Sequence, residues 1–245
     1  LDDGYGGYLC VTALRILQEL GIPHPTCKFL IETCEESGSF DLPPYLEKLT
    51  DQLGNPDLVV VLDSGGPDYD HIWTTEALRG LVSGTLSVKV SHEGVHSGMS
   101  GGTIPSSFRI QRILLDRVED SLTGEIIIPE MHTTITDTIR EQAKTLAEVI
   151  GNSIWETLPV IDTLISQSES VEESLLDVNW RPALTVIGAD GIPSVQNAGN
   201  VLRTNTDLKL SFRIPPGIKA NSVEKIIKQK LEDNPPFGSQ VNFSL

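Results

Sequence analysis

Cysteines, aromatic residues and cations are all scarce in this chain of 245 residues. It has 3 cysteines, 5% aromatic residues, and 18 lysines and arginines against 34 aspartates and glutamates, for a formal net charge of -16. So few cysteines, without CxxC spacing, exclude a disulfide framework, and we expect reduced thiols in a cytoplasmic protein. The acidic balance argues against nucleic acid or an anionic membrane as a partner.

Long apolar runs are also missing, since no stretch approaches the roughly 18 apolar residues that a membrane-spanning helix needs. The hydrophobic content is nevertheless 39%, which is typical of proteins with a packed core, and the length suits one large domain or two modest ones. The chain starts at Leu1 in a glycine-rich segment and stops in a strand-like alternating pattern. We therefore expect a fragment of a longer protein.

Residues 1–82 alternate between helix-like and strand-like patterns. Apolar residues at helical spacing predict a helix over residues 8–20, and a second helix is predicted over 43–53. Two short apolar runs, 28–32 and 58–62, predict buried strands. Because strands that alternate with helices form parallel sheets, we predict an α/β domain whose acidic residues follow the strands, at the edge where ligands bind.

Residues 83–245 predict a second domain, an α+β sandwich inserted into the α/β fold. Strands are predicted at 85–91, 183–188, 207–214 and 240–245, and helices at 106–118 and 222–231. Asn221 is the predicted cap of the last helix. A helical insertion is expected at about 130–180, where Thr138 and Glu141 have the spacing of a capping box.

Three acidic positions suggest chemistry: Asp2, the pair Glu35-Glu36, and Asp63. Neighbouring carboxylates in an extended chain point in different directions, so one can bind a metal while the other accepts a proton from a bound water. Each position by itself is also explained as a solvated turn or a helix cap. Their convergence on one edge of the predicted sheet favours a site for zinc or manganese.

The histidines and arginines leave alternatives open. His92 and His96 are four residues apart, but their glycine-rich context forbids the helix that would direct both to one metal ion. Arg213 lies on a predicted strand of an acidic protein. There, binding of a ligand carboxylate competes with an ordinary salt bridge, and the residues alone do not decide between the two.

Taken in order, several segments resemble the dinuclear-zinc exopeptidase family that includes carnosine dipeptidase, cytosolic non-specific dipeptidase, glutamate carboxypeptidase and aminoacylase. These segments are Asp2-Asp3-Gly4, Ile31 to Ser39, Val61 to Ser64, Leu78-Arg79-Gly80, Val95 to Thr103 and Trp180 to Gly188. The last three are most similar to the dipeptidase branch. The resemblance implies a partial catalytic domain at 1–82 and a lid or dimerisation domain at 83–245.

The resemblance also implies a cofactor and a reaction. Two divalent metal ions are implied, zinc first and manganese as the alternative, with Asp2 bridging both ions, Glu36 binding one and Asp63 the other. Glu35 is implied as the general base. The expected reaction is hydrolysis of the amide bond in a dipeptide or short peptide.

The lid residues are implied to act on the substrate. His96 would reach across a homodimer to polarise the scissile carbonyl in the partner's site. Asn200 and Arg213 would hold the substrate, Arg213 through a bidentate contact with its terminal carboxylate.

The sequence leaves two alternative functions open. The same site suits an N-acyl amino acid amidohydrolase, and the chain is also compatible with a homodimerisation module that has no activity. The family's two histidine ligands lie outside this chain, so the fragment itself is expected to be inactive. The metal content of the intact protein separates the enzymes from the module, and dipeptides tested against N-acyl amino acids separate the two enzymes.

Overall fold

The computed structural model describes residues 4–63, 66, 68–75 and 77–245. The chain divides into two compact units, Leu1–Gly66 and Pro67–Leu245. The helices of the first unit are α1 (Gly6–Glu19), α2 (Leu42–Lys48) and α3 (Thr50–Leu53), and a short 3-10 helix lies at Glu35–Ser37.

The helices predicted in the first unit are confirmed. α1 covers most of 8–20 and ends before Gly21, whose φ of 65° is readily adopted only by glycine. The second predicted helix is divided into α2 and α3. Proline in the first turn of α2 is tolerated because the first N–H groups of a helix have no partner within it.

The strands predicted at 28–32 and 58–62 are wrong for this unit, whose described residues contain no strand. The side chains of Leu58, Val59, Val60 and Val61 are between 69% and 77% exposed, and none of the unit's described residues is buried. A strand needs backbone partners and a neighbouring layer that covers its apolar side chains, and the unit offers these runs neither. The expected shared sheet edge for Glu35, Glu36 and Asp63 is therefore not formed.

The second unit holds all the strands of the described residues. In chain order its elements are β1 (Gly80–Lys89), β2 (Val95–His96), α4 (Ser97–Ser100), α5 (Ser107–Leu115), α6 (Asp137–Ile150), α7 (Ser153–Glu156), α8 (Val171–Trp180), β3 (Ala183–Asp190), β4 (Val201–Leu202), β5 (Asn205–Ile214), α9 (Ala220–Glu232) and β6 (Gln240–Ser244). Short 3-10 helices lie at Pro129–Met131, Val195–Asn197 and Pro236–Gly238.

The main sheet of this unit is antiparallel, with the strand order β3-β5-β1-β6. β1 and β5 pair along their full lengths, from Gly80 opposite Ile214 to Lys89 opposite Asn205. β2 and β4 form a separate two-stranded sheet. The four strands of the main sheet and the helices α5 and α9 confirm the α+β architecture predicted for this part of the chain.

One face of the main sheet is covered by α5 and α9. Alternate side chains of β1 and β5 are buried on this face because successive side chains of a strand point to opposite sides. The core includes Val82, Leu86 and Val88 of β1, Leu208, Leu210, Phe212 and Ile214 of β5, Phe243 of β6, Ile110 and Leu114 of α5, and Val223, Ile227 and Leu231 of α9.

The helical insertion has a core of its own. Ala143, Leu175 and Leu176 are buried between α6 and α8. The predicted capping box is displaced by two residues, because Thr136 rather than Thr138 caps α6 by accepting a hydrogen bond from the N–H of Ile139 at 3.3 Å. Asn221 likewise lies inside α9, which begins at Ala220.

The lengths of the helices and the state of the cysteines were also expected from the sequence. Within the described ranges, no helix combines the length and apolarity needed to cross a membrane. Cys10, Cys27 and Cys34 are all present as thiols rather than in disulfides.

A substitution of Gly84 would test the packing between β1 and β6. A methyl group at this buried position would overlap the ring of Phe243 and approach the Ser244 carbonyl to 2.9 Å. We expect Gly84→Ala to lower the free energy of unfolding by about 1–3 kcal/mol, the usual cost of overpacking a core. Gly188→Ala on β3 is the control, because its methyl group would meet Lys209 Cβ at an ordinary 3.4 Å. Equal stability of both variants in urea denaturation would contradict this packing.

Glu232 joins α9 to β6 and makes the stability depend on pH. Its carboxylate accepts hydrogen bonds from Lys228 Nζ and from the backbone N–H of Phe243, both at 2.6 Å. Burial by itself would raise the pKa of Glu232, but the two hydrogen bonds outweigh burial and lower this pKa below its ordinary value. The folded pKa is thus below the unfolded one, so the contribution to stability is complete above the unfolded pKa and is lost as the pH falls through the folded pKa.

We therefore expect Glu232→Gln to lower the free energy of unfolding at pH 7 by about 1 kcal/mol, the usual size of a net hydrogen-bond contribution. The difference from the wild type should shrink as the pH is lowered below about 4. Glu148→Gln on the exposed side of α6 is the control and should show no such convergence. Denaturation curves recorded between pH 3 and pH 7 make the comparison, and a difference independent of pH would contradict the role of the charge.

Candidate functional site

The two adjacent glutamates lie in a tight turn of the first unit. Glu35 and Glu36 are both exposed and belong to the 3-10 helix Glu35–Ser37. The turn is closed by Gly38, which has a φ of 98° and donates its N–H to the Glu35 carbonyl at 2.8 Å. Successive residues of a 3-10 helix are about a third of a turn apart, so Glu35 and Glu36 lie on different sides of this turn.

The structure does not bring the other two acidic positions, Asp2 and Asp63, together with Glu35 and Glu36 among the described residues. Asp63 is exposed and belongs to no helix or strand, and Asp2 lies outside the described residues. Among the residues that the structure does describe, no three histidine, cysteine, aspartate or glutamate side chains lie together in a group able to hold a metal ion. The described residues alone thus supply no group of the three protein ligands that a catalytic zinc ion normally takes.

His96 is exposed at the end of β2, on the turn that leads into α4. Its Nδ1 accepts a hydrogen bond from the N–H of Gly98 at 3.1 Å, so the imidazole caps α4. A neutral imidazole that accepts at Nδ1 carries its proton on Nε2. His96 is thus held in the tautomer that presents an N–H donor, which suits the polarisation of a carbonyl oxygen.

Asn200 is brought beside His96 by the small sheet. Val201, the next residue, is paired with His96. The N–H of Ser97 donates to the Asn200 carbonyl at 2.9 Å, which fixes the backbone of Asn200 next to the histidine turn. Two candidate substrate contacts that are 104 positions apart in the chain are therefore neighbours in the structure.

Arg213 lies on the main sheet rather than on the small one. It is exposed on β5, where Leu81 of β1 is paired with it on one side and Ala183 of β3 on the other. With the residues that the structure describes, Arg213 makes no ion pair. Of the two explanations left open by the sequence, the ordinary salt bridge is not seen among these residues.

A second arginine near Arg213 is not among the predicted site residues. Arg79 precedes β1 by one residue and is half-buried, and its guanidinium donates to the backbone carbonyls of Asp177 and Arg181, each at 3.2 Å. Burial, followed by the positive charge of Arg213, lowers the pKa of Arg79, while Asp177 opposes that shift. The only signal in the sequence is the place of Arg79 in the segment Leu78-Arg79-Gly80, which assigns it no role.

Comparison with known proteins gives relatives among the dipeptidases. No family model matches the chain. The chain is 26% identical over 234 residues to the beta-Ala-His dipeptidase of Homo sapiens, a match that covers 91% of this chain and 43% of that protein. It is also 26% identical over 226 residues to the Cys-Gly metallodipeptidase dug1 of Schizosaccharomyces pombe, covering 89% of this chain and 46% of that protein.

The fold is shared with a solved dipeptidase. The structure of the dipeptidase Dug1p from Saccharomyces cerevisiae matches with a TM-score of 0.69 at 21% identity, over 99% of this chain and 51% of that one. The chain thus has the fold of about half of such a protein and spans less than half the length of the curated relatives. The resemblance inferred from the sequence motifs is confirmed by these matches.

Proposed function

We propose that this chain is part of a metal-dependent dipeptidase, which hydrolyses the amide bond of a dipeptide or short peptide. The observation that carries the proposal is the extent of the similarity to the two curated dipeptidases, at 234 and 226 aligned residues. Each match is longer than the second unit, residues 67–245, and so draws on both units. We also propose that the intact protein is a cytoplasmic homodimer.

The acidic residues of the first unit are proposed as the catalytic and metal-binding groups. Asp2, Glu36 and Asp63 would be ligands of two divalent ions, zinc or alternatively manganese, together with ligands that the described residues do not supply. When bound, such ions supply a water that is easier to deprotonate. Glu35 would accept the proton from that water, a role supported by its exposed carboxylate and its separate direction from Glu36.

The lid residues are proposed to bind the substrate. The Nε2–H of His96 suits an oxygen that gains negative charge during attack on the amide, and Asn200 lies beside it. Arg213 is exposed and makes no ion pair with the described residues, so its guanidinium is available for the terminal carboxylate of a peptide. These assignments favour a substrate with a free carboxyl terminus.

Substitution of the two glutamates separates their proposed roles. In the intact protein loaded with zinc, we expect Glu35→Gln to reduce kcat for dipeptides by about 10²–10⁴-fold with the metal retained, since it removes a proton acceptor and no ligand. Glu36→Gln is the matched variant, and we expect it to lose bound metal. Metal content and turnover are measured on the same samples, with N-acyl amino acids as alternative substrates.

Three results would count against this assignment. If the wild-type protein binds metal but hydrolyses only the N-acyl amino acids, the protein is an amidohydrolase rather than a dipeptidase. If the wild-type protein has neither bound metal nor activity, the dimerisation module is the remaining explanation. Near-normal turnover of Glu35→Gln would remove Glu35 from the mechanism.

The proposed action of His96 across a homodimer is tested by mixing two inactive variants. We expect His96→Ala and Glu35→Gln proteins each to be inactive and their co-expressed mixture to regain about a quarter of wild-type activity, because half of the dimers are mixed and each has one intact site. Co-expression of His96→Ala with itself is the control. An active monomer, or a mixture that stays inactive although mixed dimers are isolated, would refute the exchange of His96 between protomers.

A further inference from the structure

The side chain of Arg79 connects the beginning of β1 to the end of α8. Its guanidinium donates to the carbonyl of Asp177, in the last turn of α8, and to that of Arg181, just beyond the helix. The last carbonyls of a helix have no partner within it and carry partial negative charge, so they favour a nearby cation. Residues 98 and 102 positions apart in the chain are joined by these bonds.

Two acidic side chains of α8, Glu173 and Asp177, are engaged by groups other than Arg79. Arg181 binds Asp177 and Glu173, each at 2.6 Å, and Ser168 donates to Asp177 at 2.6 Å. Arg140 also approaches Glu173, at 3.4 Å. These contacts engage the carboxylates of Asp177 and Glu173, and the guanidinium of Arg79 instead contacts the backbone carbonyls of Asp177 and Arg181.

Both strands that flank Arg213 are connected to Arg79. Leu81 of β1, two residues after Arg79, is paired with Arg213 of β5. On the other side, the chain runs from Arg181 through Pro182 to Ala183, the first residue of β3, which is also paired with Arg213. Loss of the Arg79 hydrogen bonds would therefore loosen the beginning of β3 at the pair that holds the backbone of Arg213.

The charges of the two arginines interact as well. Burial lowers the pKa of Arg79, and the positive charge of nearby Arg213 acts in the same direction. The guanidinium of Arg213 is itself exposed and makes no ion pair with the described residues.

We propose that Arg79 is a positioning residue for Arg213, which it holds ready for the carboxylate of a peptide substrate by tying the end of α8 and the start of β3 to β1. The carboxylate part rests on the function proposed above. The structural part, in which Arg79 sets the environment of Arg213, is measurable without any activity.

The test uses Arg79→Met, Arg79→Lys and, as the control, Arg140→Met in the intact protein. Arg140 also contacts α8, but it does so through Glu173 rather than the terminal carbonyls. Backbone hydrogen exchange of residues 183–186 reports on the β3–β5 pairing. Kinetics with a dipeptide and with the C-terminal amide of the same dipeptide report on carboxylate binding.

We expect exchange at 183–186 to be about tenfold faster in Arg79→Met, with near-normal exchange in Arg79→Lys and Arg140→Met. KM for the dipeptide should rise roughly tenfold in Arg79→Met with kcat little changed, and KM for the amide should stay constant. Arg79→Lys should restore most of the dipeptide KM, because an ammonium group retains the charge and reaches carbonyls.

Unchanged exchange in Arg79→Met would overturn the positioning role, whether or not the protein is active. Faster exchange with an unchanged dipeptide KM, or with an equal rise for the amide, would overturn the link to the substrate carboxylate. A wild type without dipeptidase activity would refute the proposed function, and with it the substrate part, while the exchange data would still decide whether Arg79 holds β3.

Discussion

The pairing of β1 with β5 is the constraint on which the second unit depends. Its register places Leu86 and Phe212 on the face covered by α5 and α9, and a slip by one residue would turn both side chains to the opposite face. The same register sets Arg213 opposite Leu81, while β3 adds Ala183 on the other side. Burial of the core and placement of this candidate substrate contact thus follow from one set of backbone hydrogen bonds.

Backbone groups also hold the other candidate residues of this unit. The imidazole of His96 is oriented by the N–H of Gly98 and the guanidinium of Arg79 by two carbonyls at the end of α8, while the N–H of Ser97 holds the backbone of Asn200. Backbone atoms move less than long side chains, so such bonds limit the orientations of the groups that they contact. The arrangement leaves His96, Asn200 and Arg213 exposed, as groups that meet a substrate must be.

The first unit has no comparable constraint. Its apolar runs have the composition of buried strands, yet Leu58 to Val61 are largely exposed and no described residue of the unit is buried. Hydrophobic side chains stabilise a fold only when another layer removes them from water. The chain spans 43% and 46% of the lengths of the two dipeptidases that it resembles.

Periodicity in the sequence was sufficient to predict α1, the main strands β1, β5 and β6, and the helices α5 and α9. Their apolar positions repeat with the period of the element and face one core, so the local pattern carries the information. The motifs likewise identified the relatives, whereas the roles of His96, Asn200 and Arg213 stay predictions from that resemblance. Only the tertiary structure decided that residues 58–62 form no strand. It also decided that Arg79 contacts the end of α8. Both depend on partners that are distant in the chain, and a local sequence pattern contains no information about such partners.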